Sequence, residues 1–301
     1  MKIGLIGLGA IGGVTAQRLL AAGCDVSLAA GRHAAELRAT FPDGVIGETL
    51  AEGRYDLILL CVRSADIEKA LVPAAPLLAP DGAVVCLQNG LPEERVAKIV
   101  GPNRVLGAVI GWSATMTAPG EYLITGPGAF ILGGASPRID HARFVLGHAF
   151  PVSVTNNLTG ARWSKLAINC AMSTLGAVSG LSLGELASRR DVRELALRVI
   201  AEVVEAAQTR GVKLEPIAGV RPDRLIRLPR PLAHFAVWLA ARRRPRQKSG
   251  MIALLRTGRR AGVEDLNALV DAPLNRKLVQ QVHEIERGSR QISPQNLAEL
   301  T

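Results

Sequence analysis

The pattern of hydrophobic positions changes character near the middle of the chain. In the first half, short apolar runs alternate with amphipathic stretches; the runs are Lys2–Ile6, Asp25–Ala30, Tyr55–Val62, Ala83–Leu87 and Val105–Ile110. Continuous apolar runs of this length are typical of parallel strands that are buried on both faces. The alternation therefore predicts a mostly parallel sheet with helices on both faces.

Two further strand predictions complete this half. Tyr122–Thr125 and Ala129–Leu132 flank Gly126-Pro127-Gly128, which predicts a β-hairpin. Residues 151–155 predict a last short strand. The domain formed by this half is expected to span residues 1–155.

From Asn156 onward the apolar residues recur with helical spacing. The predicted helices are Trp163–Leu175, Asp191–Arg210, Leu232–Arg244 and Leu274–Arg287. No strand signal is convincing here, so we expect a helical second domain over residues 156–301.

The first predicted strand runs directly into a glycine-rich turn and then into a helical pattern. The turn reads Gly7-Leu8-Gly9-Ala10-Ile11-Gly12. In this context the first glycine makes a tight turn, the second admits a pyrophosphate, and the third lets helix and strand pack closely. The helix N-terminus attracts phosphates. We predict a Rossmann-type dinucleotide-binding domain; the alternative is a glycine turn in another α/β protein.

The end of the second predicted strand indicates which dinucleotide binds. Enzymes that use NAD place a carboxylate there to hold the ribose hydroxyls. This chain has Ala30-Gly31-Arg32-His33 instead. A guanidinium at this position suits the 2′-phosphate of NADP, so NADP(H) is the predicted cofactor. The alternative is that Arg32 is an ordinary exposed residue.

Composition narrows the class of protein. Hydrophobic residues make up 48% of the 301 residues, but no apolar run approaches the roughly 18 residues that span a membrane. The chain starts directly with a strand, so no signal peptide is expected. The four cysteines, Cys24, Cys61, Cys86 and Cys170, form no C-x-x-C motif. Together these features predict a reduced, cytoplasmic protein without a metal site.

The net charge is +10, with basic residues concentrated in Arg242–Lys248 and Arg256–Arg260. Such a charge is compatible with nucleic-acid binding. Aromatic residues that could stack on bases are only 3% of the chain, which weakens that hypothesis. We therefore expect neither a nucleic-acid nor a membrane partner, and interpret Arg242–Lys248 as a solvated loop.

Candidate catalytic residues lie near the start of the second half. Lys165 and Asn169 are four residues apart, which places them on one face of the predicted helix. An ammonium beside a carboxamide can polarise a carbonyl as a hydride arrives. Arg63 and Asn89 each follow a predicted strand, at the edge of the sheet where ligands collect. Taken alone, a lysine and an asparagine on a helix are most often surface residues.

The chain resembles the ketopantoate reductase family (2-dehydropantoate 2-reductases) along its whole length. The glycine turn is shared, and so is Val62-Arg63, where the family usually has Val-Lys. The other matching segments are Gln88-Asn89-Gly90, Ala118-Pro-Gly120, Trp163-Ser-Lys165-Leu-Ala-Ile-Asn169-Cys170, Gly184-Glu185-Leu186, Ser249-Gly-Met251, Gly258-Arg259, Asn267 and Pro273-Leu-Asn275. The Lys-Leu-x-x-Asn stretch is quite specific, whereas the glycine turn alone is not.

The resemblance implies a nucleotide domain followed by a helical domain of the 6-phosphogluconate dehydrogenase C-terminal type, and often a homodimer. The implied reaction is NADPH-dependent reduction of 2-dehydropantoate to pantoate. Lys165 would donate to the substrate carbonyl, and Asn169 would hydrogen-bond near the reacting oxygen. Asn89 would lie by the nicotinamide and the substrate, while Arg32 and Arg63 would grip the 2′-phosphate.

Several family pocket positions carry other residues here. Ser173 and Leu183 replace asparagines, and Gly250 replaces a serine. An ungapped alignment places the family's pocket glutamate on Gly262. Glu264 would not substitute for it, because a two-residue shift on a helix turns a side chain by about 200°; only a local two-residue slip would restore it.

These losses predict a more apolar pocket and a substrate other than 2-dehydropantoate, since each unpartnered buried polar group costs roughly 1–3 kcal/mol. Two alternatives stay open. One is a C=N reductase of the imine or opine type, in which Lys165 would matter less. The other is a non-catalytic protein that binds NADP.

Overall fold

The apolar runs of the first half form the strands of one sheet. The computed structural model describes residues 1–217 and 219–300, in two compact units, Met1–Leu158 and Thr159–Thr301. The strands are β1 Ile3–Ile6, β2 Val26–Ala29, β3 Val45–Gly47, β4 Tyr55–Leu60, β5 Leu78–Cys86, β6 Val105–Ile110, β7 Ser113–Ala118, β8 Glu121–Gly126, β9 Phe130–Gly134 and β10 Val152–Val154.

Eight of these strands form a single sheet in the order β10-β9-β6-β5-β4-β1-β2-β3. All neighbouring pairs are parallel except β6 and β9. At the carboxyl end of β1, Ile6 lies opposite Ala29 of β2 and Leu60 of β4. The turns that follow these three strands therefore begin at the same edge of the sheet.

Helices cover both faces of the sheet. They are α1 Ala10–Ala21, α2 Ala34–Leu37, α3 Ile67–Leu71, α4 Glu93–Val100 and α5 Ile139–Ala149. Leu57 and Leu59 belong to the core under α1 and α5, whereas Ile58 and Leu60 belong to the core under α3 and α4. This alternation explains why β4 has to be apolar at successive positions. The predicted Rossmann-type architecture is confirmed.

The predicted hairpin around Gly126-Pro127-Gly128 is wrong. β8 instead pairs with β7, in a separate two-stranded sheet whose chain reverses near Gly120, which has a φ of +81°. β9 pairs with β6 in the main sheet. The physical reason is burial: Phe130 and Leu132 enter the core, whereas Leu123 of β8 is exposed.

The second unit is helical, as predicted. Its helices are α6 Leu158–Ile168, α7 Thr174–Ser179, α8 Leu183–Ser188, α9 Arg190–Thr209, α10 Pro222–Leu225, α11 Arg230–Arg242, α12 Gly250–Arg256 and α13 Pro273–Glu286. Among its described residues, the only β-type pairing is a bridge between Ile217 and Val220. The predicted helix Trp163–Leu175 is not one regular α-helix, because a π-helical segment, Asn169–Ser173, joins α6 to α7.

Close packing of α1 against the end of β1 depends on Gly12. A Cβ atom at Gly12 would lie 1.9 Å from the carbonyl oxygen of Gly7 and 2.9 Å from the Cβ of Cys61. Backbone atoms cannot move aside as a flexible side chain can. Gly12 therefore fixes the distance between the helix and the strand.

We expect Gly12→Ala to destabilise the first unit by several kcal/mol or to prevent its folding, because the added methyl group overlaps backbone (at least ~3 kcal/mol, as for severe overpacking). Gly9→Ala is the matched control, since a Cβ there meets nothing within 4 Å. Thermal unfolding of both variants checks the difference. Equal stability of the two variants would contradict the packing argument.

Candidate active site and cofactor-binding turn

The glycine turn of the first unit has the conformation that its sequence predicts. Gly7 has a φ of +100°, and its N–H donates to the carbonyl oxygen of Ala29 at 2.8 Å. Gly9 precedes α1 with ordinary extended angles, φ −69° and ψ −170°. It is exposed, and space for a Cβ is open around it. The backbone at Gly9 can therefore be approached closely by a ligand.

The N-terminus of α1 is suited to an anion. No side chain caps the helix at Gly9, and its first turn contains no acidic residue. The first N–H groups of a helix have no partner within it and carry partial positive charge. Ala10 and Ile11 are partly exposed beside Gly9. This environment fits the pyrophosphate of a dinucleotide.

A side chain of β8 that packs against this turn was not identified from the sequence. The Tyr122 hydroxyl of β8 donates to the carbonyl oxygen of Leu8 at 2.9 Å. Its ring lies so close to α1 that a Cβ at Gly13 would come within 2.0 Å of it. The glycine after the G-x-G-x-x-G motif was the available signal. It indicates a second close approach, in addition to that of β1.

The two arginines assigned to the cofactor follow strands on either side of β1. Arg32 lies in the 3-10 turn Gly31–His33 after β2, and Arg63 follows β4. Both are exposed. Arg32 Nε donates to His33 Nε2 at 3.3 Å, and Arg63 pairs with Asp66 at 3.1 Å. No carboxylate occupies the positions directly after β2.

Asn89 follows β5, the strand beyond β4 in the sheet. Asn89 is exposed, whereas Gln88 and Gly90 on either side are buried. Gly90 has a φ of +76°, so the chain turns sharply there. Asn89 is thus presented at the same edge of the sheet as the glycine turn.

In the second unit, Lys165 and Asn169 lie on the partly exposed side of one helical run. Leu166, Ala167, Cys170 and Ala171 are buried, while the intervening positions are partly exposed. These partly exposed positions are Lys165, Ile168, Asn169, Met172 and Ser173. The Lys165 amine and the Asn169 carboxamide therefore share a surface with the apolar side chains of Ile168 and Met172. Ser173, where the family resemblance implies an asparagine, lies on the same surface.

Burial changes the chemistry of Lys165. Desolvation, together with the positive charges of Arg162 and Arg244, lowers the pKa of Lys165 from 10.5 to about 8. Arg162 is itself buried. Arg162 was not identified from the sequence, and Arg244 was included only as part of the basic run Arg242–Lys248. Such a shift is common at catalytic sites, where a group must give up or take a proton near neutral pH.

A buried polar network braces the π-helical segment. The Asn267 amide nitrogen donates to the carbonyl oxygen of Cys170 at 3.0 Å and to Asn275 Oδ1 at 2.8 Å. The Thr174 hydroxyl donates to Asn267 Oδ1 at 2.6 Å. Asn267 and Asn275 are fully buried. Because a π-helical turn displaces the usual backbone bonds, this side chain gives a carbonyl of the segment a partner.

The network continues to the start of α13. Asn275 Nδ2 donates to Glu202 Oε2 at 2.8 Å, and the backbone N–H groups of Leu274 and Asn275 donate to the same carboxylate. A carboxylate at a helix N-terminus is favourable for the helix dipole. The family motifs at Asn267 and Pro273-Leu-Asn275 therefore have a structural explanation.

A second family motif is also structural. Ser182 and Glu185 form a capping box at the start of α8. Gly184 is packed against Pro245, whose carbonyl oxygen would lie 2.8 Å from an added Cβ. The Leu183 N–H donates to the carbonyl oxygen of Gln247 at 2.9 Å. The basic run Arg242–Lys248 is therefore partly packed and not simply a solvated loop.

At the positions where this chain has glycine in place of a family side chain, the backbone differs in whether it can accept a side chain. Gly262 has a φ of +79°, so a glutamate there would be strained. It precedes a 3-10 turn, Val263–Asp265, so the assumption of an α-helix was wrong. Glu264 pairs with His283 at 3.2 Å. Gly250, by contrast, begins α12 with open space around it.

Glu264, His283 and Glu286 also form a group of potential metal ligands, with ligand atoms within 4.8 Å of one another. His283 contacts Glu264, and Glu286 accepts the Ala261 N–H at 2.7 Å. These contacts account for the cluster without a metal ion.

Two further buried side chains, Trp112 and His234, have structural roles. Trp112 is buried and stacks on Phe150 with ring centres 4.0 Å apart. His234 is buried beside Glu194 at 3.3 Å. Lys165 does not line the open cavity of about 560 Å³ in the second unit, whose lining includes Ser179, Glu185, Lys248, Arg256, Arg290 and Ile292. In the part of the chain that the structure describes, no helix is long and apolar enough to cross a membrane.

Two models of one protein family match most of this chain. The family model "Ketopantoate reductase PanE/ApbA" matches residues 3–137, and the model for the C-terminal part of the same family matches residues 157–286. The chain belongs to the ketopantoate reductase family.

Relatives in this family are distant in sequence. The chain is 27% identical to the 2-dehydropantoate 2-reductase of Pyrococcus horikoshii over 232 residues, covering 71% of this chain and 76% of the relative. It is also 27% identical to that of Mesorhizobium japonicum over 253 residues, covering 71% of this chain and 78% of the relative.

Solved structures share the fold over nearly the whole chain. A PanE/ApbA family ketopantoate reductase from Ralstonia eutropha has a TM-score of 0.78 and 26% identity, covering 96% of this chain and 99% of that one. A D-mandelate dehydrogenase, solved with NADH and anilino(oxo)acetate, has a TM-score of 0.80 and 19% identity, with the same coverage. The latter likeness concerns the fold alone.

The polar network leads to a stability prediction. Asn267→Ala should lower the free energy of unfolding by roughly 3 kcal/mol, because a buried carbonyl, a hydroxyl and an amide lose their partner. Asn103→Ala removes an exposed asparagine and is the control. Chemical denaturation of both variants checks this. A loss below about 0.5 kcal/mol for Asn267→Ala, the range of an ordinary surface substitution, would contradict a bracing role.

Proposed function

We propose that this chain is an NADPH-dependent reductase of a 2-oxo acid or a related carbonyl compound that is less polar than 2-dehydropantoate. The observation that carries the proposal is Lys165, a partly buried amine whose pKa is lowered to about 8, in a chain of the ketopantoate reductase family. At neutral pH such an amine is still mostly protonated, and it gives up its proton more readily than an ordinary lysine.

In this proposal, Lys165 donates a proton to the carbonyl oxygen of the substrate as negative charge develops there. Asn169, one helical turn later, donates a hydrogen bond to the same oxygen. Asn89 orients the substrate beside the nicotinamide. These roles follow the family resemblance, and the partial exposure of Lys165 and Asn169 on one side of the helix supports them.

A nicotinamide dinucleotide, when bound, supplies the hydride. The turn Gly7-Leu8-Gly9-Ala10-Ile11-Gly12 and the first N–H groups of α1 would hold its pyrophosphate. Arg32 and Arg63, exposed at the ends of the strands that flank β1, would hold the 2′-phosphate. The lack of a carboxylate directly after β2 supports NADP(H) over NAD(H).

The altered substrate is proposed from the changed pocket positions. Ser173 lies beside Ile168 and Met172 on the partly exposed side of the helix, and no carboxylate replaces the family glutamate at Gly262. The D-mandelate dehydrogenase neighbour was solved with an aromatic oxo-acetate, so this fold can accommodate less polar oxo acids. A homodimer and a cytoplasmic location stay predictions from the resemblance and the composition.

The decisive experiment is NADPH oxidation with 2-dehydropantoate and with a panel of bulkier 2-oxo acids, ketones and imines. We expect turnover of a less polar oxo acid, weak turnover of 2-dehydropantoate, and preference for NADPH over NADH. Because the donor must be protonated, kcat/KM for reduction should fall about tenfold per pH unit above pH 8, and the oxidative direction should rise over the same range.

Lys165→Ala should reduce kcat by at least about 100-fold through loss of the proton donor, with the NADPH affinity unchanged. A small kcat loss together with imine turnover would favour C=N reduction instead. Tight NADPH binding without turnover of any compound would favour a non-catalytic protein. A pH-independent kcat/KM for reduction between pH 7 and about 9.5 would contradict the role of Lys165.

The pocket hypothesis predicts a gain of function. Gly250→Ser should lower the KM for 2-dehydropantoate by about tenfold, the effect of one added hydrogen bond of ~1.4 kcal/mol, because the site has room for the side chain and the family carries a hydroxyl there. Gly250→Ala fills the same space without a hydroxyl and is the matched control. Equal KM values for the two variants would show that this position does not contact the substrate.

A further inference from the structure

The outer side of α11 exposes a ridge of large apolar side chains. Leu232, Phe235 and Leu239 are 55%, 56% and 46% exposed. At 100° per residue, the three side chains lie within about 60° of one another around the helix. They are opposite the buried positions, of which Val237 and Ala241 pack into the unit. A contiguous exposed apolar patch, unlike a single exposed leucine, indicates a contact surface.

The ridge is flanked by most of the chain's excess positive charge. Residues 221–248 contain nine arginines and lysines and one aspartate, a net charge of +8 out of +10 for the chain. The aspartate, Asp223, is paired with Arg221 at 2.8 Å. At the end of the ridge, the Arg242 guanidinium lies 4.6 Å from the Trp238 ring centre. Arg243, next to it, is exposed.

Charge argues against a second copy of the chain on this ridge. In a two-fold arrangement on the ridge, Arg242 and Arg243 of one copy would lie close to the same residues of the other when the helices are parallel. When they are antiparallel, they would lie close to residues 227–230, which include two arginines and no acidic residue. Glu194, which lies beside the helix, already contacts Arg230 and His234, both at 3.3 Å. It cannot neutralise a second set of arginines as well.

The apolar part argues against nucleic acid. Phosphate contacts need cations but no exposed leucine or phenylalanine. A helix with Leu, Phe and Trp on one side and arginines at its borders is typical of segments that lie in a lipid–water interface. The arginines approach anionic headgroups, while the apolar ridge enters the acyl boundary.

We propose that α11 binds the chain reversibly to an anionic lipid surface, with Leu232, Phe235 and Leu239 inserted and Arg242 and Arg243 at the headgroups. The expected absence of a membrane partner rested on spanning length, which this mode of binding does not require. The helix has only 13 residues and three inserted side chains. Neither the burial of these side chains nor the attraction of the arginines to anionic headgroups is therefore enough by itself to hold the chain on the lipid surface. Binding is therefore expected to weaken sharply with salt.

The test is co-sedimentation of the full chain with vesicles of phosphatidylglycerol and phosphatidylcholine, compared with vesicles of phosphatidylcholine alone. We expect binding to the anionic vesicles only. Phe235→Ser should weaken it by about tenfold, the effect of removing one inserted aromatic side chain. Phe144→Ser is the matched control, because Phe144 on α5 is 64% exposed and distant in sequence from the basic segment; it should bind as the unchanged chain does.

Replacing Arg242 and Arg243 together by glutamine should weaken binding and flatten its salt dependence. Three results would overturn the proposal. One is no binding to anionic vesicles, and another is an equal loss for Phe144→Ser and Phe235→Ser. The third is a change from dimer to monomer on Phe235→Ser in light scattering, which would make the ridge an interface between copies. Unchanged thermal unfolding and NADPH binding of each variant confirm that it is folded.

Discussion

The contact between Gly12 and the carbonyl oxygen of Gly7 sets the geometry of the first unit. A helix that follows a strand this closely leaves no space for a Cβ at Gly12. The same approach brings the uncapped start of α1 to the edge where β1, β2 and β4 end together. A packing requirement and a binding requirement are therefore met by one backbone arrangement. Tyr122 also packs against α1, next to Gly13, and donates to the carbonyl oxygen of Leu8 in the same turn.

In the second unit, a lysine and an asparagine lie on a helical run that changes from α-helix to π-helix between them. The π-helical segment begins at Asn169, immediately after α6. Such a segment is stable only where its displaced backbone groups find partners. Glu202 orients Asn275, Asn275 orients Asn267, and Asn267 reaches the carbonyl oxygen of Cys170. The side chains beneath the helix thus fix the geometry of those on its exposed side.

The sequence allowed the sheet, the glycine turn and the helical second half to be predicted, because each depends on local spacing of apolar residues and glycines. It did not allow β9 to be placed, since Phe130 and Leu132 fit a hairpin and the main sheet equally well as a local pattern. The π-helical segment was missed because Leu166 and Cys170, four residues apart, have the spacing of a regular α-helix. The side chain that bonds a carbonyl of this segment lies about 100 residues away, at Asn267. Arg244, which acts on Lys165 from 79 residues further along the chain, is likewise recognisable only once the chain is folded.

The energetics of Lys165 bear on whether the site is still catalytic. Its pKa is lowered in the folded chain, from 10.5 to about 8. A base with a lowered pKa destabilises the folded state at every pH below that value, and the effect disappears only as the pH rises toward the unfolded pKa. At neutral pH the chain therefore tolerates a charged amine that burial and two arginines both disfavour. A pocket that had lost its chemistry would gain stability from replacing this lysine by a neutral residue. Because Lys165 is kept at this cost, its lowered pKa supports the proposal of a retained reaction over that of a non-catalytic protein.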